Sequence, residues 1–472
     1  MTNLLLGNGI DIQFGGDACT SRYIIKRIKY KALQDGYDEL FDYTVSSTEL
    51  IDILNGFVIE TNSIIDDNYD IYAKDDNELS QALEEFKGRY KEHINSPEDI
   101  MLEDWLFIVR MFFVKNIDLE RNREAAIQGF ERLLLDAIYN DGLVQKIYKN
   151  MNKKIKKYLY SFDKIFTLNY DNNIELLTGK EVLHLHGDFS VLADSENADS
   201  VVGFIRNKNK ETVLQEEFRH CYCNALLNYS GKLKRKRIEE CEKANKALEK
   251  LYIECMADNN KLEELQRINK DVYLQVKTKI EHPELKATSD YHFNEFCSME
   301  GELCIIGMSP NNDAHIFDAI LENDKIKKVK FYYLDRKQKE YIEKNFPKEL
   351  FVCEDVNSLW DKLLCSKPQY NCNYHFPAEI DQFVKIFNEL SMDEVSVAQV
   401  EETIKQITRD DMKRLCGLVK ADIKKRSPKH EIKSEEEFKK ENASISYIAL
   451  QQGILPTVLY LICIMNFELI MD

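Results

Sequence analysis

A short apolar run, Leu4-Leu5-Leu6, breaks at once into Gly7-Asn8-Gly9-Ile10-Asp11, and four of the seventeen glycines fall within the first sixteen residues. This is the pattern of a buried strand that ends in a glycine turn before a helix. Elsewhere breakers are scarce. There are eight prolines in 472 residues, and neither glycine nor proline occurs between Lys232 and His282. Many-turned β-sandwiches and barrels use both residues freely, as do disordered and collagenous chains, so those classes are excluded and helix should dominate.

The length allows two or three domains, and 44% hydrophobic with 31% charged residues is an ordinary globular balance. A formal charge of −18 (64 basic against 82 acidic side chains) disfavours non-specific attraction to nucleic acid or an anionic membrane. The twelve cysteines show no paired spacing and read as reduced thiols in a cytoplasm. The first residues lack the basic n-region of a signal peptide. The most apolar stretch, Ile454 to Met465, has 12 residues and contains Pro456, short of the ~20 needed to span a bilayer. It is expected to be a buried helix or a subunit contact.

Helical periodicity runs from Ser21 to Tyr160, most clearly at Ile100 to Val114, where Leu102, Trp105, Leu106, Val109, Met111, Phe112 and Phe113 crowd one broad face. Further strands are expected at Lys164 to Tyr170, Glu181 to His186, Glu302 to Gly307 and Lys328 to Leu334, with a helix from Ala314 to Glu322. Strand, turn, helix and strand in the last part make a βαβ unit and hence a parallel sheet. A helical hairpin turning at Asp258-Asn259-Asn260 is expected between Lys232 and His282. Its opening run Lys232 to Arg237 is either a nucleic-acid patch or, as Glu239, Glu240 and Glu242 suggest, a solvated helix face.

Polar residues gather where these strands end. Gly7-Asn8-Gly9 either reaches a turn conformation or lets backbone approach a phosphate, with Asn8 and Asp11 adding polar contacts; Asp11 could equally cap the helix. Asn169 and Asp171 either line a ligand crevice or form an Asx turn. In His184-Leu185-His186-Gly187, period two puts both imidazoles on one strand face. One could be a satisfied core histidine, the two could begin a metal site, and His186 is the better placed general base. Ser309 and Asn311, behind Gly307, offer further phosphate or ribose contacts. Asp335 either meets a ribose hydroxyl or caps a helix.

The succession GNGID, FTLNYD, LHLHGD, IIGMSPNNDAHI and YYLD resembles the sirtuin-like NAD-binding domain of bacterial anti-phage defence proteins, including the abortive-infection AbiH group, over residues 1 to 20 and 160 to 340. The resemblance implies a Rossmann-like parallel sheet over 1–367, around which the helical patterning reads as insertions at about 21–160 and 207–290 and, after Pro368, as a C-terminal all-helical region over 368–472. It implies a catalytic pair Asn169 and His186, with Asp171 steadying the asparagine. NAD would be held by Gly7, Asn8, Gly9, Asp11, Gly307, Ser309, Asn311 and Asp335. Leu168 departs from the family, where a second Thr or Gln is common, and leaves one polar contact unfilled. The two CxxC pairs of zinc-bearing deacylating sirtuins are absent from the sequence, so deacylation is disfavoured and no metal is expected. What remains is scission of the nicotinamide–ribose bond: a cytoplasmic NAD glycohydrolase that depletes NAD during infection. Such an enzyme would be restrained by homo-oligomer assembly or by a partner ATPase, helicase or nucleotide sensor. The alternative is a subunit that binds NAD or another nucleotide without cleaving it.

Overall fold

The computed structural model describes residues 1–32, 36–41, 45–90, 92–190, 205, 216–227, 229–310, 313–365 and 409–426, with scattered residues from 438 to 463. The chain divides into two compact units, Met1–Ser21 with Asp35–Pro368, and Arg22–Gln34 with Gln369–Asp472. Residues 22–34 thus group with the C-terminal region and not with the insertion in which the sequence placed them.

The first unit is built on six strands: β1 (Thr2–Leu6), β2 (Lys164–Thr167), β3 (Leu183–His184), β4 (Gly301–Ile306), β5 (Ile326–Tyr333) and β6 (Phe351–Asp355). They pair in the order β3-β2-β1-β4-β5-β6, and every pairing is parallel. Strand β1 therefore lies in the middle of the sheet, and from it the chain winds to one side and returns to build the other. Leu4 lies opposite both Ile165 and Cys304. Because successive side chains face opposite ways, Leu4 and Leu6 serve one core and Leu5 the other, which is why this strand reads as an unbroken apolar run.

Helices cover both faces. On the Leu4 face, α1 (Gly9–Gly15) contributes Ile10 and Phe14. Helix α2 (Ser21–Ala32) belongs mostly to the second unit. The insertion before β2 consists of α3 (Ser47–Ile65), α4 (Asn77–Arg89), α5 (Leu102–Lys115), α6 (Arg123–Tyr139) and α7 (Lys153–Tyr160). Of these, α7 packs Ile155 and Leu159 under the Leu4 face, beside Ile174 and Leu177 of α8 (Asn173–Thr178). Helix α3 starts on a capping box in which Ser46 and Glu49 exchange hydrogen bonds. In α5 the expected apolar stripe is buried except for Phe112, which lies on the outer side. This helix is anchored by Asp104, fully buried, which receives Arg89 Nε at 3.1 Å and the Tyr90 hydroxyl at 2.7 Å.

The expected hairpin is three helices: α9 (Gly231–Ala257), α10 (Asn259–Ile268) and α11 (Lys270–Glu281). Asp258 and Asn269 each cap the helix that follows, accepting from Asn260 N and Val272 N, so a second break falls where no glycine or proline marks it. The Leu5 face is closed by α12 (Phe293–Cys297), α13 (Ala314–Glu322) and α14 (Arg336–Asn345), through Phe296, Ile316, Phe317, Ile320 and Ile342. Finally α15 (Val356–Leu363) returns Leu359 and Trp360 to the other side.

The C-terminal region expected over 368–472 lies mostly outside the described residues. Within it, α16 (Arg409–Arg426) buries Leu415, Cys416, Val419 and Ile423 along one stripe. Among the described residues no helix is long and apolar enough to cross a membrane.

Candidate functional site

The strand order reverses direction between β1 and β4, so the loops leaving these two strands diverge at their carboxyl ends, where open α/β sheets bind ligands. Here the two loops touch. Gly7 N donates to Ile306 O at 3.0 Å and Gly9 N to Gly307 O at 2.8 Å. A Cβ on Gly9 would lie 2.4 Å from Gly307 Cα, and one on Gly7 would lie 2.6 Å from Gly307 O. The close approach that glycine permits is therefore backbone to backbone. Asn8 is exposed and its carboxamide donates to Cys19 O at 2.9 Å. Asp11 points inward, 3% exposed, and accepts from Asn169 Nδ2 at 2.9 Å. Ser309 is half-buried, and Asn311 lies outside the described residues. Asp335 is exposed and caps α14 through Gln338 N at 2.8 Å, so the capping alternative holds for one of its oxygens.

Strand β2 stops at Thr167, three residues before the expected end, because Thr167 Oγ1 takes the Asn169 amide at 3.1 Å and turns the chain. Asp171 forms an Asx turn, accepting the backbone amide of Asn173 at 3.0 Å and also its side chain. The carboxylate that holds Asn169 is thus Asp11; the hydrogen bonds of Asp171 run to Asn173 and Asp11.

The two histidines part company. Strand β3 ends at His184, and Gly187, at φ 82°, turns the chain. His184 Nδ1 faces Asn169 O at 2.9 Å and Nε2 faces Glu175 Oε1 at 2.7 Å. With an acceptor at each nitrogen, this ring carries both protons. Burial opposes that charge, but the hydrogen bond and charge of Glu175 raise its pKa to about 9. His184 is the satisfied core histidine. Its contribution to stability is complete below about pH 6.5 and is lost as pH rises through about 9. The difference is worth on the order of 3 kcal/mol. In Glu175→Gln the alkaline fall in melting temperature between pH 7 and 10 should flatten, as thermal melts across that range would show.

His186 turns the other way, 3% exposed, with Nε2 3.1 Å from Nε2 of the fully buried His315 on α13. Burial, the ammonium of Lys234 and His315 itself hold His186 well below the ordinary histidine range; burial, Lys234 and Arg235 do the same to His315. Both rings are therefore neutral at neutral pH, and one Nε2–H donates to the other. Asn224 clamps the turn: its side-chain oxygen accepts from Asp188 N at 2.8 Å, and Leu226 N donates to His186 O at 2.8 Å.

Three further groups complete the cluster. Lys234 of α9 is buried, and burial depresses its pKa against the pull of Glu103 and Asp313. Burial pushes the Asp313 carboxyl up to about 7, with Lys234 opposing and Glu103 adding to the rise. Burial also raises Tyr170 well above its usual range, with help from Glu103 and Asp313. One ligand atom from each of His186, Asp313 and His315 lies within 4.8 Å of the others, a donor set suited to a cation. Lys234 already supplies positive charge to all three.

Lys234 and Glu103 come from the helical insertions, and neither was singled out in the sequence. Lys234 hides in the run Lys232 to Arg237, whose last three members are answered by acids: Arg235 by Glu239 and Glu322, Lys236 by Glu78, Arg237 by Glu240. The signal was periodic. Lys234, Ile238 and Cys241 recur at helical spacing on the buried side of α9. Asp313 and His315 stood inside a quoted motif without a role.

Fold and cluster together define an α/β protein with an all-parallel six-stranded sheet and a buried polar centre at the carboxyl ends of its strands. Comparison of the chain with protein-family models, curated proteins and solved structures returns no match.

Proposed function

We propose that this protein is an NAD glycohydrolase of the sirtuin-like, anti-phage kind that its motifs resemble, acting in the cytoplasm and restrained by assembly with itself or with a partner defence protein. One observation carries the reading: Asn169 and a neutral His186 follow the ends of adjacent parallel strands, at the same carboxyl end of the sheet as the Gly7–Gly9 and Gly307 loops. In the reaction, water attacks the ribose carbon as neutral nicotinamide departs. Asn169 orients the water or the ribose hydroxyls, and His186 accepts the proton released by the attacking water, leaving ADP-ribose.

A second reading, nucleotide binding without cleavage, is favoured by one specific fact: His186 Nε2 is already engaged by His315, so only Nδ1 remains to act as base. Incubation of the purified chain with NAD separates the two. Release of nicotinamide supports cleavage; NAD binding with no nicotinamide, alone and with candidate partners, supports the second reading.

A further inference from the structure

Asp11 and Asp171 are 3% and 5% exposed, and their carboxyl groups are hydrogen-bonded to each other. No lysine or arginine pairs with either among the described residues, and Asp171 Oδ2 is fully buried with no donor from any other group. Two buried carboxylates without a counter-cation cannot both stay ionised, so one proton must lie between them. The surrounding donors say where. Asp171 Oδ1 already accepts both the backbone and the side-chain N–H of Asn173, whereas Asp11 accepts only from the Asn169 carboxamide and has its second oxygen left to carry the proton.

We propose that Asp11 is a positioning residue: as a neutral acid it donates to Asp171 through one oxygen and accepts from Asn169 Nδ2 through the other. The Asn169 amide is thereby fixed, with its oxygen making no hydrogen bond among the described residues and so open to a substrate hydroxyl or water. This role in catalysis rests on the NAD-cleaving reading; the shared proton does not. Burial and Asp171 both hold the Asp11 proton in place to a higher pH than an exposed aspartate would keep it. Asp171 is the one titratable group that acts on it among the described residues.

Asn at position 11 can make both bonds, accepting from Asn169 and donating to Asp171; Ala can make neither. Asp11→Asn should therefore keep NAD cleavage within about 3-fold of wild type, while Asp11→Ala loses about 10- to 100-fold in kcat with little change in KM. Thermal melts test the proton without any assay of activity. Above about pH 4 the unfolded chain ionises Asp11 and the folded chain does not, so wild type loses stability as pH rises, and Asp11→Asn escapes that loss. The melting temperature of Asp11→Asn relative to wild type should climb from pH 5 to pH 9. An Asn variant as inactive as the Ala variant, or one that falls further below wild type as pH rises, would mean an ionised Asp11 and overturn the proposal. Should no form cleave NAD while the melting gap still widens as stated, the shared proton stands and the catalytic reading of the site falls.

Discussion

Gly307→Val is expected to give a chain that fails to fold at 25 °C or that loses about 4 kcal/mol or more in urea unfolding. Three costs coincide. Gly307 has φ 74°, a left-handed conformation that a β-branched residue resists by roughly 1–2 kcal/mol. Its added Cβ would stand 2.7 Å from Ile10 N, 2.8 Å from Gly9 Cα and 2.9 Å from Gly7 O. These are backbone atoms, so no side chain can swing aside. Relief would require the β1 and β4 loops to separate, breaking the Gly9 N to Gly307 O bond between them. Gly56→Ala is the control. Gly56 lies inside α3 with nothing within 4 Å of an added Cβ, and the change should stabilise by about 0.5–1 kcal/mol.

The largest effect on activity is expected at His186 and Asn169. Replacing either by Ala should lower kcat for NAD cleavage by about 10²- to 10⁴-fold, through loss of the proton acceptor at His186 or of the group that orients the water or ribose hydroxyls at Asn169. His186→Ala also strips His315 of its hydrogen-bond partner, so its melting temperature should be checked in parallel; His315 Nδ1 is already buried without one. The pH profile distinguishes roles further. A free histidine base would give an acid limb near 6.5, but His186 is held neutral well below that. A limb near pH 7 would instead belong to Asp313, whose carboxyl is raised to about 7, and Asp313→Asn should abolish it. Equal activity in the His186 and Asn169 variants would remove them from the chemistry while leaving the fold as described.

Legibility in the sequence followed burial. Strand β4 and helix α13 are placed to within a residue and β1 at its end, though it starts two residues before Leu4, because a strand covered on both faces is a continuous apolar run and glycine marks its end. The end of β2 was set three residues too far, since Thr167 bonds the Asn169 amide and takes the chain off the ladder. The pairing of His184 and His186 failed for a related reason: period two holds only while the strand lasts, and β3 has two residues. Strand β6 went unnoticed because Phe351-Val-Cys-Glu-Asp355 is short and ends in two acids at an edge position. Asn169, His186 and Asp11 were visible as polar residues at strand ends. Their partners were not: Asp11 meets Asn169 across 158 residues and His186 meets His315 across 129. Local periodicity carries no information about such pairs.

The central position of β1 sets a timetable. Its partners are residues 164–167 on one edge and 302–306 on the other, so this strand cannot be flanked on both sides until some 300 further residues have followed it. At about 5–20 residues per second that is a wait of roughly 15–60 seconds. Throughout it, Leu4, Leu5 and Leu6 belong to an unfinished sheet. The polar centre, which needs residues 11, 169, 186, 234 and 315 together, is completed within the same late interval. A nascent chain that stops short of His315 therefore holds no assembled site, and whatever chemistry the cluster performs is withheld until that residue has been added.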